Sequence, residues 1–243
     1  MSAIRGARER ARTEITAAIK DEARAQLAAE GAARLSLRAV ARELGMVSSA
    51  LYRYFPSRDE LLTALIVDAY DAIGEAAEKA ARDTTVRPDT SSAAAWTAVA
   101  CAVREWALAH PHEYALIHGS PVPGYVAPQD TVGPASRVGL VFIGLVRDAH
   151  LHEGVTTPPL SAALRPEAVR MAAELAPDLP PANAAALVIA WAQLFGLVSF
   201  ELFGQFKGVV RDREALFRQA ADGLAHSVGL TAPGGWQGEF PGE

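Results

Sequence analysis

Residues 35–65 read LSLRAVARELGMVSSALYRYFPSRDELLTAL, and their spacing decides how this chain is organised. Leu37, Val40, Ala41 and Leu44 recur at three- and four-residue intervals, one face of a short helix. Ser36 stands at its start as a cap, and Gly45 lets the chain turn sharply at its end. Val47, Ser48 and Ser49 open a second short helix. From it Ala50, Leu51 and Phe55 can pack back on the first, leaving Ser48, Ser49, Tyr52 and Arg53 outside. Ser57-Arg58-Asp59-Glu60 then reads as a capping box that opens a long helix striped by Leu62, Leu65, Ile66, Ala69 and Ile73.

Working outward, the pattern stays helical, with no alternating run long enough for a strand. Ile15, Ala18, Ile19, Ala23 and Leu27 stripe a first helix that Gly31 closes. Further helices are expected near 92–109, 112–119, 135–152, 165–175, 182–206 and 211–228. Breaks fall at Pro88 to Ser92, from Pro121 through Gly124 to Pro134, at Pro158-Pro159 and at Pro177 to Pro181. The fold class is all-α: a three-helix helix-turn-helix head, a long connecting helix and a helical body. The expected domains are a helix-turn-helix head at 1–58, a helical body at 59–230 and a loosely held Gly/Pro-rich tail at 231–243.

The 243 residues carry a net charge of −5, which spread evenly would argue against nucleic acid. Residues 1–58, however, hold 11 Lys+Arg against 6 Asp+Glu, a net +5, and the remainder carries −10. A basic head on an acidic body allows phosphate to be attracted locally. The single cysteine, Cys101, excludes an intramolecular disulfide, fits a reducing compartment and makes cytoplasm the expected location. Residues 183–200 hold no charged side chain. With Asn183, Gln193 and Ser199 inside them and Glu201 just after, they read as a helix buried on most sides by protein rather than a membrane span.

Two short helices joined through a glycine turn form the unit whose second helix enters the major groove. Residues 8–70 resemble the N-terminal domain of the tetracycline-repressor (TetR) family, carried by SLRAVARELG and SSALYRYFPSRDELL. The resemblance implies that Val47, Ser48, Ser49 and Tyr52 face bases or nearby backbone, that Arg38 reaches toward a base edge, and that Ser36, Tyr54 and Arg58 touch phosphates. Arg58 departs from the commoner Lys, which keeps the charge but changes its geometry. Each residue alone also fits a plainer role: Tyr52 and Tyr54 as core aromatics, Arg38 and Arg53 as solvated charges, Ser48-Ser49 as a cap. The spacing, the turn and the basic head together favour DNA.

The stretches from Trp96 to Tyr125 and from Ala190 to Phe206 resemble the TetR body class named for a Trp-His-Gly motif. Trp191 and Gly196 fit that motif, and Phe195 stands where the class has His. The resemblance implies a dimer and a small-molecule site. Candidates to line a pocket for a small hydrophobic ligand are Trp96, Trp106, Tyr114, Phe142, Trp191, Phe195 and Phe203, with Arg104 and His118 as polar anchors. The same residue types also build ordinary core.

His110, His112 and His118, and His150 with His152, lack an i, i+4 pair or cysteine partners, so no metal is expected. His118-Gly119-Ser120 lacks the frame of a nucleophile elbow, Cys101 lies on an apolar helix, and no phosphate-binding glycine loop is present, so neither catalysis nor a cofactor is expected. Helices near 182–206 and 211–228, with Gly196, Ser199 and Gly204 permitting close approach, are the expected dimer interface. The function these features imply is a dimeric, ligand-responsive repressor that reads a palindromic operator. An activator, a ligand-independent regulator, or a small-molecule carrier or enzyme with vestigial DNA binding stand as alternatives.

Overall fold

A computed structural model describes residues 2–86 and 90–230, with side chains from Gly6 onward. The expected break at Pro88 and the expected tail at 231–243 lie outside the described residues. Among those described there are ten α-helices and no strand. They are α1 (Ser2–Glu30), α2 (Leu37–Glu43), α3 (Ser48–Leu51), α4 (Arg58–Thr85) and α5 (Ser92–Ala109). After these come α6 (Pro111–His118), α7 (Val132–His152), α8 (Arg165–Leu175), α9 (Pro181–Leu202) and α10 (Arg213–Ser227).

The chain divides into two compact units. The first runs through Asp71 and takes in His110–Ala135 as well, so it holds more chain than the head of 1–58 read from sequence. The reason is side-chain pairing across a long sequence gap. Arg24 of α1 donates to Glu113 of α6 at 2.8 Å and to Asp68 of α4 at 2.7 Å, and Thr63 shares a 2.9 Å hydrogen bond with Tyr125. The core of this unit is Ile19, Ala23 and Leu27 of α1, Leu37, Val40 and Ala41 of α2, Leu51 and Phe55, and Leu61, Leu62 and Leu65 of α4. Leu116, Val122 and Tyr125 pack against it from the later segment.

The second unit comprises the described residues of 72–109 and of 136–230. There α5 packs on α9 and α10, and α8 lies along α9. Trp96, Val99, Val103, Phe142, Val146, Leu194, Val198 and Phe217 are among its buried side chains. Asn183, fully buried, donates its amide to the Thr156 and Val228 carbonyls at 3.0 and 2.9 Å and so ties the start of α9 to two connecting segments. Gly74 of α4 allows close approach: a Cβ there would sit 2.8 Å from Cβ of Arg137, whose guanidinium grips Glu78 at 2.8 and 2.9 Å.

One expectation for this unit is overturned. Helix α9 is not buried on most sides. Only 33% of its most apolar window is covered by the chain itself, and Ile189, Trp191, Phe200 and Phe203 stand exposed. Its packed side carries Leu187, Ala190, Leu194 and Val198, so the helix is apolar on both faces and this chain fills only one. It also ends at Leu202, four residues earlier than expected, with Gly204 beyond it at φ +85°.

Candidate nucleic-acid interface

The helix-turn-helix is held by its own backbone chemistry. Ser36 is extended and its Oγ accepts from the Ala39 N–H at 3.4 Å, capping α2. At the other end Gly45, with φ +64°, donates to the Arg42 carbonyl at 3.1 Å, and Met46 donates to the Ala41 carbonyl at 2.8 Å. This paired arrangement closes a helix by sending the chain through the left-handed region, where glycine alone is unstrained. It delivers Val47 directly to the start of α3.

At that start, Val47 takes the N-cap position and provides no side-chain cap. Ser48 and Ser49 follow as the first two helical residues, so neither hydroxyl is occupied as a cap. Ser49, Tyr52 and Val47 are exposed, Val47 at 70% of its full surface, while Leu51 behind them is fully buried. A 70% exposed valine four residues from a fully buried leucine is an apolar side chain placed outward on a rigid mount. An apolar side chain held outward in this way can meet a thymine methyl group in a major groove.

The remaining predicted DNA residues divide. Arg38 is exposed on α2. Ser36 has its acceptor side engaged and its hydroxyl proton still available to donate. Tyr54 is half-buried against the head core, with the Arg12 guanidinium over its ring at 5.4 Å. Arg58 is different. It turns inward and donates to the Ala32, Ala33 and Leu35 carbonyls at 2.8, 3.3 and 3.2 Å, closing the short turn between α1 and α2. Ser57 caps α4 by accepting from the Glu60 N–H at 3.1 Å.

The predicted pocket residues are not gathered together. Trp96 and Phe142 are buried against each other with ring centres 4.4 Å apart, and the Trp96 indole N–H has no acceptor among the described residues. Trp106 is buried nearby on the same helix, α5. Arg104, expected as a polar anchor, instead makes a two-pronged ion pair with Glu201, both contacts at 2.7 Å, and lies over the Phe217 ring. Trp191 on α9 and Phe203 just past its end are exposed, with half-buried Phe195 edge-on to Trp191. Tyr114 and His118 belong to the first compact unit, where His118 sits between Tyr114 and Tyr70 with ring centres at 5.0 and 6.0 Å. Burial pushes the His118 pKa down to about 4, so the ring is neutral at physiological pH. Burial likewise raises the Cys101 thiol, which removes the thiolate that reactivity would need.

Neither Arg12 nor Glu201 was singled out from sequence. The i, i+4 spacing of Arg8 and Arg12 ahead of the apolar stripe that begins at Ile15 was the available signal for Arg12. Nothing local marked Glu201, whose partner lies 97 residues away.

Comparison with known proteins agrees with this geometry. Residues 19–65 match the family described as bacterial regulatory proteins, tetR family, and residues 96–224 match the tetracyclin repressor-like C-terminal domain. The chain belongs to the TetR family. HTH-type transcriptional regulators of Mycobacterium tuberculosis (Rv1816) and Mycobacterium bovis (Mb1846) are each 44% identical over 208 residues, covering 83% of this chain and 86% of theirs. The solved structure of the putative regulatory protein SCO4313 is 35% identical, with a TM-score of 0.73 over 90% of this chain and 98% of that one. The TetR regulator PfmR of Thermus thermophilus, 16% identical with a TM-score of 0.56 over 86% of this chain and 97% of its own, shares the fold. This TetR-family chain is therefore a transcriptional regulator with a DNA-binding helix-turn-helix.

Proposed function

We propose that the protein is a homodimeric repressor that holds a palindromic operator and leaves it when a small hydrophobic molecule binds the body. DNA contact rests with residues 1–58, and ligand binding and dimerisation with 59–230. The observation that carries the DNA assignment is the outward set on α3. Val47, Ser49 and Tyr52 are exposed on a turn whose inner residue, Leu51, is fully buried, so their positions are fixed before DNA arrives. A preformed surface avoids ordering costs on binding.

The dimer assignment rests on α9. Its exposed Ile189 and Phe200 share one side of the helix, with exposed Phe203 just past its end, and they lie opposite the side that is already packed. A second copy presenting the same face, with α10 beside it, would cover it in a four-helix arrangement. Phe200→Glu is expected to shift the protein from dimer to monomer in sedimentation velocity. A dimer unaffected by that change contradicts the assignment.

The ligand response would pass along α4, which begins next to the helix-turn-helix at Arg58 and runs continuously to Thr85 through both compact units. A coupling of roughly 1–3 kcal/mol changes operator affinity about 5- to 150-fold. Fluorescence anisotropy with duplex DNA from upstream of the protein's own gene tests the reading. Tyr54→Ala is expected to weaken binding to every sequence, and Ser48→Ala to alter sequence preference. If neither substitution changes binding to a proven operator, the contact assignment is wrong.

A further inference from the structure

The structure separates the cations of the head into those already neutralised within the protein and those left for an outside partner. Lys20 is paired with Asp68 at 2.7 Å, and Arg24 with Asp21, Asp68 and Glu113 at 2.7, 2.7 and 2.8 Å. Arg42 is paired with Glu43 at 3.2 Å. Arg58 is occupied by three carbonyls and by Asp59 at 3.7 Å. Arg8, Arg10, Arg12, Arg34, Arg38 and Arg53 have no carboxylate partner among the described residues. Arg38 and Arg53 flank α3 in the chain, beside the base-reading positions already assigned.

Arg8 and Arg12 are the unexpected members. The buried stripe of α1 begins only at Ile15 and Ile19, and Ala7 through Glu14 are exposed. More than two helical turns before Ile15 therefore contribute nothing to the head core. Arg8 and Arg12, four residues apart, project from the same side of that extension. The extension continues the same helix, and on it the Arg12 guanidinium lies over the Tyr54 ring at 5.4 Å. Tyr54 follows α3 by three residues, so the arginine pair extends outward from the edge of the recognition unit itself.

We propose that Arg8 and Arg12 form a phosphate clamp on the DNA backbone flanking each half-site, supplying anchorage that the inward-turned Arg58 does not give. The inference rests on the DNA-binding reading above and deepens it. Tyr54 acts as the platform that orients the planar Arg12 guanidinium, and a guanidinium so placed is suited to two-point contact with phosphate oxygens. Contacts of this kind position a protein without reading sequence.

The test is the salt dependence of affinity for a selected operator and for a non-specific duplex of equal length, followed by anisotropy between about 50 and 200 mM salt. Arg8→Ala and Arg12→Ala are each expected to lower the slope of log affinity against log salt by about 0.9 per protomer on both duplexes, leaving the ratio of the two affinities unchanged. Arg12→Lys retains the charge and is expected to retain the slope. Thermal melts of each variant separate lost folding from lost contact. Slopes equal to the wild type for Arg8→Ala and Arg12→Ala, in folded protein, overturn the clamp while leaving DNA binding intact. A wild-type protein that binds neither duplex overturns the DNA-binding reading itself.

Discussion

The guanidinium of Arg58 donates to the Ala32 carbonyl at 2.8 Å and, through a second nitrogen, to the Leu35 carbonyl at 3.2 Å. One side chain at the start of α4 thus holds the turn that leads into α2. Replacing it by Ala takes this donor from the part-buried Leu35 carbonyl, while the Ala32 carbonyl keeps only the Leu35 N–H at 3.3 Å. Hydrogen bonds to a charged group contribute about 1.5–3 kcal/mol each before such losses are shared. Arg58→Ala is expected to lower stability by roughly that amount in urea unfolding, and Arg58→Lys, with no planar fork, to recover only part of it.

Gly45 sits at φ +64° in the turn between α2 and α3. No neighbouring atom would meet a Cβ there, so the penalty of substitution is backbone strain alone. Gly45→Val is expected to destabilise the protein by about 1–3 kcal/mol, with Gly45→Asn milder. Because the turn aims α3, operator affinity should fall further than stability does, measured on protein shown to be folded by circular dichroism.

His118 is neutral when folded, with its pKa pushed down to about 4 by burial between Tyr70 and Tyr114. In the unfolded chain it titrates near its ordinary value, about 6.5. Above that value protonation does not distinguish the two states. Below it the unfolded chain takes up a proton that the folded one refuses. Stability should fall as pH drops from about 6.5 toward 4, by up to ~1.4 kcal/mol per pH unit. His118→Phe should flatten this part of the profile, read as the wild-type minus variant difference in urea midpoints at pH 7 and pH 5.

Arg104 and Glu201 keep only 12% and 6% of their side-chain surface exposed. Glu201→Gln leaves the guanidinium charge buried without its counter-ion, and breaking such a pair costs about 3–5 kcal/mol. The exposed Lys79 and Asp83 pair provides the contrast, since Asp83→Ala should cost less than about 1 kcal/mol. Urea unfolding of the two variants should therefore differ several-fold in effect.

Much of this was legible in the sequence where the determinant is local. The apolar stripes placed α2, α4, α5 and α8, Ser36 and Ser57 marked real caps, and Gly45 marked the turn. Helix α9 was placed but its surroundings were not, because an apolar stretch does not say whether its own chain or another covers it. The pairing of Arg104 with Glu201 and of Arg24 with Glu113 depends on elements far apart in the chain. So does the inclusion of α6 in the first compact unit. Arg58 illustrates the same limit: its family position suggested phosphate, and only the nearby carbonyls of Ala32, Ala33 and Leu35 show where its donors go.

The account turns on residues 36–55 reading a two-fold symmetric site, and the most direct measurement is selection of bound sequences from a pool of random duplexes. The protein should enrich a palindrome whose half-sites lie about 34–36 Å apart along the helix or somewhat more. Binding to it should exceed binding to scrambled DNA by at least about a thousandfold. Recovery of no common sequence, with equal affinity for selected and scrambled duplexes, would contradict it.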